Sequence, residues 1–207
     1  MLAPSLPGFP GAGGHTELDD WSDWIAATLD LLEAAGLEGA DLVGASVGGM
    51  LAAEVAAFAR GSVRRLVLIS PLGLFDASEP VADLFARRRS EVAPLLSSRP
   101  EAYAELLAAP AGADPVEWQV VQARAEEAAA RILWPVGDRG LAKRLHRIHA
   151  PTLLLFGSED RVLPPSYAKR FADGLGGMVQ KRTLEGAGHL LEIDAPDAAA
   201  DACLGFL

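Results

Sequence analysis

Cysteine is almost absent. Cys203 is the single one among 207 residues, so no disulfide can form within the chain, which fits a reducing cytoplasm. Long hydrophobic runs are missing too. Half of the composition is apolar, yet nothing approaches the roughly 18 uninterrupted apolar residues of a membrane span, and no membrane partner is expected. The opening MLAPSLPGFPG places no basic segment ahead of an apolar stretch and so lacks the pattern of a secretory signal. Positive charge is in deficit, with 18 basic against 28 acidic side chains. The resulting net charge of −10 repels phosphate backbones and argues against nucleic acid as a partner. His146 and His149, in KRLHRIHA, have no evident third ligand and read as cations near a helix C-terminus, so neither a metal nor a cofactor is expected.

What is present is enough for one domain with a buried core. LAPSLPGFPGAGG reads as the end of a strand entering a Pro/Gly loop. Thr16 is placed to cap the next helix, where Leu18, Trp21, Trp24, Ile25, Leu29 and Leu32 recur at helical spacing and Gly36 closes the end. A short strand, ADLVG, leads to Ser46 and an alanine-rich helix, and VRRLVLIS is a further strand stopped by Pro71. From about Leu72 to Ala150 prolines punctuate amphipathic helical pieces, VADLFARRRSEV and PVEWQVVQARAEEAAARIL among them, with no convincing strand. Within them the Arg87–Arg89 run reads as a solvated helix face, and Trp118 and Trp134 as the packed interior of a lid or the lining of a pocket. Alternation resumes with PTLLLFG, PPSYAKRFADGL, VQKRTLEGAG and DAPDAAADACLGFL. This order predicts an α/β fold, a mostly parallel sheet flanked by helices with an inserted helical cap. Residues 1–71 and 151–207 form the core, and residues 72–150 the cap.

The stretch VGASVGG, from Val43 to Gly49, admits two chemistries. As a glycine-rich phosphate cradle of a nicotinamide-dependent short-chain reductase it would want glycine at Met50 and a ribose-binding residue where the next strand ends in Ser70 and Pro71. Such an enzyme also needs lysine four residues after its tyrosine, where Tyr167 is followed by Phe171 and Tyr103 by Leu107. As G-x-S-x-G it is a nucleophile elbow between an apolar strand and a helix of small residues, with Gly44 and Gly48 leaving room for the strained serine. A serine hydroxyl needs an imidazole to take its proton and a carboxylate to fix that imidazole. His189 follows the last strand in EGAGHLLE, and Glu159 and Asp160 follow the preceding one in LLLFGSEDRVLPP, with Asp76 a further candidate acid.

VGASVGG, PTLLLFGSEDRVLPP and LEGAGHLLEIDAPDAAADACLGFL resemble the elbow, acid loop and histidine loop of the α/β-hydrolase family, over nearly the whole chain. The resemblance places the family's G-x-x-D-x-x-x-P on Gly157, Asp160 and Pro164, which selects Asp160 over Glu159. It implies Ser46 as nucleophile, His189 as base, Asp160 as its orienting acid and the Val47 backbone N–H as one oxyanion donor. The expected substrate is a small, largely apolar carbonyl compound: an ester, a lactone or a cleavable carbon–carbon bond. The family's sheet has about eight strands, of which about five are expected here. No HG-type loop precedes LAPSLPGFPGAGG within the given sequence, so the second oxyanion donor is missing from the chain, and a start inside a longer protein is expected. The alternative is a weakly active or inactive fragment or binding protein that retains the three residues.

Overall fold

The computed structural model describes residues 1–13 and 18–207; Thr16 lies outside them. Four parallel strands form one sheet in the order β1-β2-β3-β4: β1 Ala40–Ala45, β2 Val63–Ile69, β3 Thr152–Gly157 and β4 Val179–Leu184. Sequential parallel strands joined by right-handed crossovers put their connecting helices on one face. Helix α2 (Ser46–Phe58) joins β1 to β2, and α6 (Ser166–Gly174) joins β3 to β4. Both bury their apolar residues in the same cluster, with Leu66, Leu68, Leu154 and Phe156 beneath them. The alternate residues Val67, Ile69, Leu153 and Leu155 face the other way, against Ala199 and Ala202 of α8 (Pro196–Leu204). Period-2 alternation in two strands buried on both sides explains their continuous apolar runs.

Helix α1 (Trp21–Ala34) begins at an Asp20 cap, whose carboxylate accepts from Ser22 N, while Asp23 reaches back to the Asp20 amide. Gly36 follows its end at φ 63°, as the sequence requires. Between β2 and β3 run α3 (Arg89–Leu96), α4 (Pro100–Leu106) and α5 (Pro115–Leu133), then two 3-10 turns, Leu141–Lys143 and Leu145–Arg147. The C-terminal run holds a short helix, α7 (Leu191–Asp194), before α8. Among the described residues no helix is long and apolar enough to cross a membrane.

Three expectations are corrected. Residues 1–13 hold turns at 7–11 and no strand end: Phe9 N donates to Leu6 O and Ala12 N to Phe9 O, while Pro4, Pro7 and Pro10 have no N–H for a ladder. The described sheet therefore has four strands instead of about five. VADLFARRRSEV is helical only from Arg89, because Asp83 accepts from Phe85 N and Ala86 N and Ala82 N donates to Val162 O, which commits residues 82–86 to a loop. Arg87, Arg88 and Arg89 are all exposed, but only Arg89 is in a helix. Trp134 is 58% exposed and no part of a lid interior; Trp118 is half-buried and donates its indole N–H to Leu107 O.

Ser70, directly after β2, adopts φ 39° and is fully buried, its hydroxyl without a hydrogen-bond partner among the described residues. This bend folds the chain back over the start of α2, where Leu72 N donates to Ser46 O and Pro71 packs on Gly49. Left-handed backbone costs a non-glycine residue about 1–3 kcal/mol, and glycine returns about 0.5–1 kcal/mol of that as unfolded-state entropy. Ser70→Gly is expected to stabilise the protein by about 1 kcal/mol, read as a Tm rise of about 3 °C in thermal unfolding. An unchanged or lower Tm counts against strain at this bend.

Candidate active site

The elbow is a close approach of backbone to backbone. Ser46 leaves β1 at φ 50°, a strained value for a residue with a side chain, and α2 starts at once. A Cβ on Gly44 would stand 2.3 Å from Gly48 O, so only glycine fits there. A Cβ on Gly48 itself would meet nothing within 4 Å. The second tight position is Gly49, where a Cβ would lie 3.0 Å from both Gly44 O and Pro71 Cβ. Sequence spacing pointed to Gly48; the sheet geometry makes Gly49 the tighter residue, and the GG pair was the available signal.

The acid and histidine loops lie against each other at the carboxyl ends of β3 and β4. A Cβ on Gly157 would come within 2.2 Å of Ala187 O and Gly188 O. Glu159 N donates to Ala187 O at 2.9 Å, and Gly186 N to Ser158 Oγ at 2.8 Å. This zipper brings His189 Nδ1 within 3.0 Å of Asp160 Oδ2 and leaves Nε2 2.8 Å from Ser46 Oγ. His189 is buried, and the Asp160 side chain is only 4% exposed. An ionised carboxylate only accepts, so Nδ1 donates to Asp160, and Nε2 is left to accept the Ser46 hydroxyl proton.

Asp160 is stabilised as an anion. Burial pushes its carboxyl up. The hydrogen bond and charge of His189, with the amides of Leu163 and Val162 donating to Oδ1, outweigh this and hold it below the ordinary aspartate value. The other candidate acids are engaged elsewhere. Asp76 pairs with Arg170 at 2.5 Å and accepts from Ser78, while Glu159 is exposed beside Arg161. The amide of Val47 sits in the first turn of α2, where no helical carbonyl stands four residues earlier to accept it and the helix dipole is positive.

Near the start of α2 lies a small apolar cavity of about 40 Å³, which Ser46, Asp160 and His189 do not line. It is lined by Met50 one turn after Ser46, by Leu72 and Leu74 after β2, by Phe85, and by Val162 of the acid loop, with Arg139 its single charged lining residue. His149 does not sit in a metal cage: its Nε2 is 2.5 Å from Arg60 Nη2, and His146 is exposed. No cluster of three potential metal ligands occurs among the described residues.

A model of the alpha/beta hydrolase family matches residues 1–202. The chain belongs to the α/β-hydrolase family. Among curated relatives of this α/β-hydrolase is a carboxylesterase, YbfK, of Bacillus subtilis, 27% identical over 209 residues, covering 96% of the chain and 66% of that protein. The 2-hydroxy-6-oxo-2,4-heptadienoate hydrolase of Pseudomonas putida is 30% identical over 195 residues, covering 79% of the chain and 62% of that protein. The chain thus spans just under two thirds of the length of each. The crystal structure of 2-hydroxy-6-oxo-6-phenylhexa-2,4-dienoate hydrolase from a Rhodococcus superposes with a TM-score of 0.71 at 19% identity, over 98% of this chain and 78% of that one. That likeness speaks for the α/β-hydrolase fold, a parallel sheet flanked by helices.

Proposed function

We propose that this α/β-hydrolase is a cytoplasmic serine hydrolase that cleaves a small, largely apolar carbonyl substrate without metal or cofactor. The observation that carries the proposal is the unbroken path from Ser46 Oγ through the His189 ring to Asp160, at 2.8 and 3.0 Å. Ser46 Oγ attacks the carbonyl carbon while His189 Nε2 takes its proton, and Asp160 stabilises the imidazolium that forms. The carbonyl oxygen, now negative, is met by the Val47 amide at the positive end of α2. His189 returns the proton to the departing group, and the acyl-enzyme remains. Water then repeats the sequence, giving its proton to His189 and releasing the acid with Ser46 restored. Residues 72–150 act as the cap over a core of residues 1–71 and 151–207, and the apolar side chains of Met50 and Leu72 meet the apolar part of the substrate. The carboxylesterase and dienoate hydrolase relatives support both ester and carbon–carbon bond cleavage as the reaction class.

A fluorophosphonate tests this directly: Ser46 Oγ displaces fluoride from phosphorus, and peptide mass spectrometry locates the adduct. Labelling of Ser46 that disappears in Ser46→Ala is expected; a folded chain left unlabelled overturns the proposal. A second reading, a weakly active or non-catalytic binding protein, is favoured by one observation. The outer edge of β1 has no partner strand among the described residues, and Val43 on it is 48% exposed. That reading predicts no adduct.

A further inference from the structure

Asp194, the last residue of α7, is engaged by neither the sheet nor the hydrogen-bonded path at Ser46, yet three donors converge on its carboxylate. Ser97 Oγ donates to Oδ1. Gly188 N donates to Oδ2 at 2.6 Å and Ser98 N at 3.0 Å. Ser97 is buried, and its hydroxyl oxygen in turn accepts from Arg99 N. The residues around Asp194 extend the contact: Leu190 N donates to Leu96 O at 2.9 Å, and Ser98 Oγ to Gly186 O at 2.7 Å. The amides of the two residues flanking His189 are therefore tied to the joint between α3 and α4, that of Gly188 through Asp194 and that of Leu190 directly. The fit leaves no slack, since a Cβ on Gly188 would lie 2.9 Å from both Asp194 Oδ2 and Ser98 N.

We propose that Asp194 is a positioning residue that sets the His189 ring against Ser46 and fixes its place relative to the segment between β2 and β3. The inference rests on the serine-hydrolase reading for its effect on rate. Its physical basis is local. Burial pushes the Asp194 carboxyl up, but the Ser97 hydroxyl and the amides of Ser98 and Gly188 outweigh that and keep it an anion, which satisfies three donors with one group. An amide at this position presents a single acceptor oxygen: with it toward the Gly188 and Ser98 amides, its NH2 faces Ser97 Oγ, and the Ser97 hydroxyl proton loses its acceptor. The histidine loop then shifts, and a displacement of about 1 Å in a reacting group costs on the order of 10²-fold in rate.

The test compares wild type, Asp194→Asn, Asp194→Glu and Ser97→Ala at a temperature where circular dichroism shows each folded. Two readouts are taken: the rate of Ser46 labelling by a fluorophosphonate, and the nitrogen and proton resonances of the His189 ring. Asp194→Asn is expected to lower labelling about 10- to 100-fold, with kcat falling and KM little changed on a chromogenic ester. Ser97→Ala is expected to lower labelling by a few-fold, and Asp194→Glu to recover part of the loss. The His189 Nδ1–H resonance should shift or broaden in the same order. Wild-type labelling rates with an unmoved His189 resonance in both Asp194→Asn and Ser97→Ala overturn the proposal. Should Asp194→Asn not fold, Ser97→Ala carries the same decision. Absence of labelling in the wild type removes the hydrolase reading, and the resonances alone then decide whether Asp194 positions the ring.

Discussion

Asp160→Asn is expected to lower turnover by about 10⁴-fold while the chain stays folded. Asparagine has nearly the volume of aspartate, and its carbonyl oxygen can still accept from the amides of Val162 and Leu163, which bond to Oδ1 at 2.8 and 2.9 Å. What fails is the other side. The NH2 then faces His189 Nδ1, where the Oδ2 acceptor stood at 3.0 Å, and a donor there forces Nδ1 to become the acceptor. The ring proton moves to Nε2, which then points a hydrogen at Ser46 Oγ and cannot take one from it. Steady-state kinetics on an ester substrate check this, with KM expected to change far less than kcat. The same substitution has a stability signature. The folded-state value of Asp160 is lowered, so its contribution is present above the ordinary aspartate value and lost as pH falls through the lowered one. An amide in place of the carboxylate removes that contribution, and the acid limb of the unfolding curve should flatten. A variant with wild-type kcat excludes Asp160 as the orienting acid.

The residues of that path were legible because their order and their strand ends are local properties. Ser46 and Asp160 each follow a short apolar strand and His189 follows the largely polar VQKRTL, and parallel strands bring such positions to one edge of a sheet. The helix Pro115–Leu133 was equally open to reading, since Asp114 and Pro115 supply both its cap and its first turn. What escaped the sequence depends on partners distant in the chain. Val81 and Leu84 have helical spacing, yet they turn to the cavity beside Val162, and the Asp83 side chain holds that loop open. The strain at Ser70 arises only because the chain must cross back over the elbow. Nor could spacing distinguish Gly48 from Gly49, since the constraint comes from Pro71 after the neighbouring strand.

Glu54 is a further case, and it carries the second large effect. It lies in an alanine-rich helix and is fully buried, which apolar periodicity alone would assign to a leucine. The cause is Arg144, 90 residues later, whose Nε and Nη2 donate to the two carboxylate oxygens at 2.8 and 2.5 Å. Arg144 also donates to Arg139 O at 2.8 Å and stacks over Phe58 with 5.5 Å to the ring centre. The pair joins α2, which begins at Ser46, to the 3-10 turns that precede β3. Arg144→Ala leaves the buried carboxylate of Glu54 without its counter-ion, and breaking a buried pair in this way costs about 3–5 kcal/mol. Thermal unfolding should show a Tm lower by about 10 °C for a chain of this size. Removing both charges tells the two components apart. Glu54→Leu combined with Arg144→Met should cost less than about 1 kcal/mol, because the uncompensated charge is gone and apolar volume is kept. If the double variant is as unstable as Arg144→Ala, the loss belongs to packing and the ion pair is not its source. If Arg144→Ala unfolds like the wild type, Glu54 reaches another partner. The expected ordering, a large single loss and a small double one, also bears on the elbow: labelling of Ser46 in the double variant should stay within a few-fold of wild type, since α2 keeps its place.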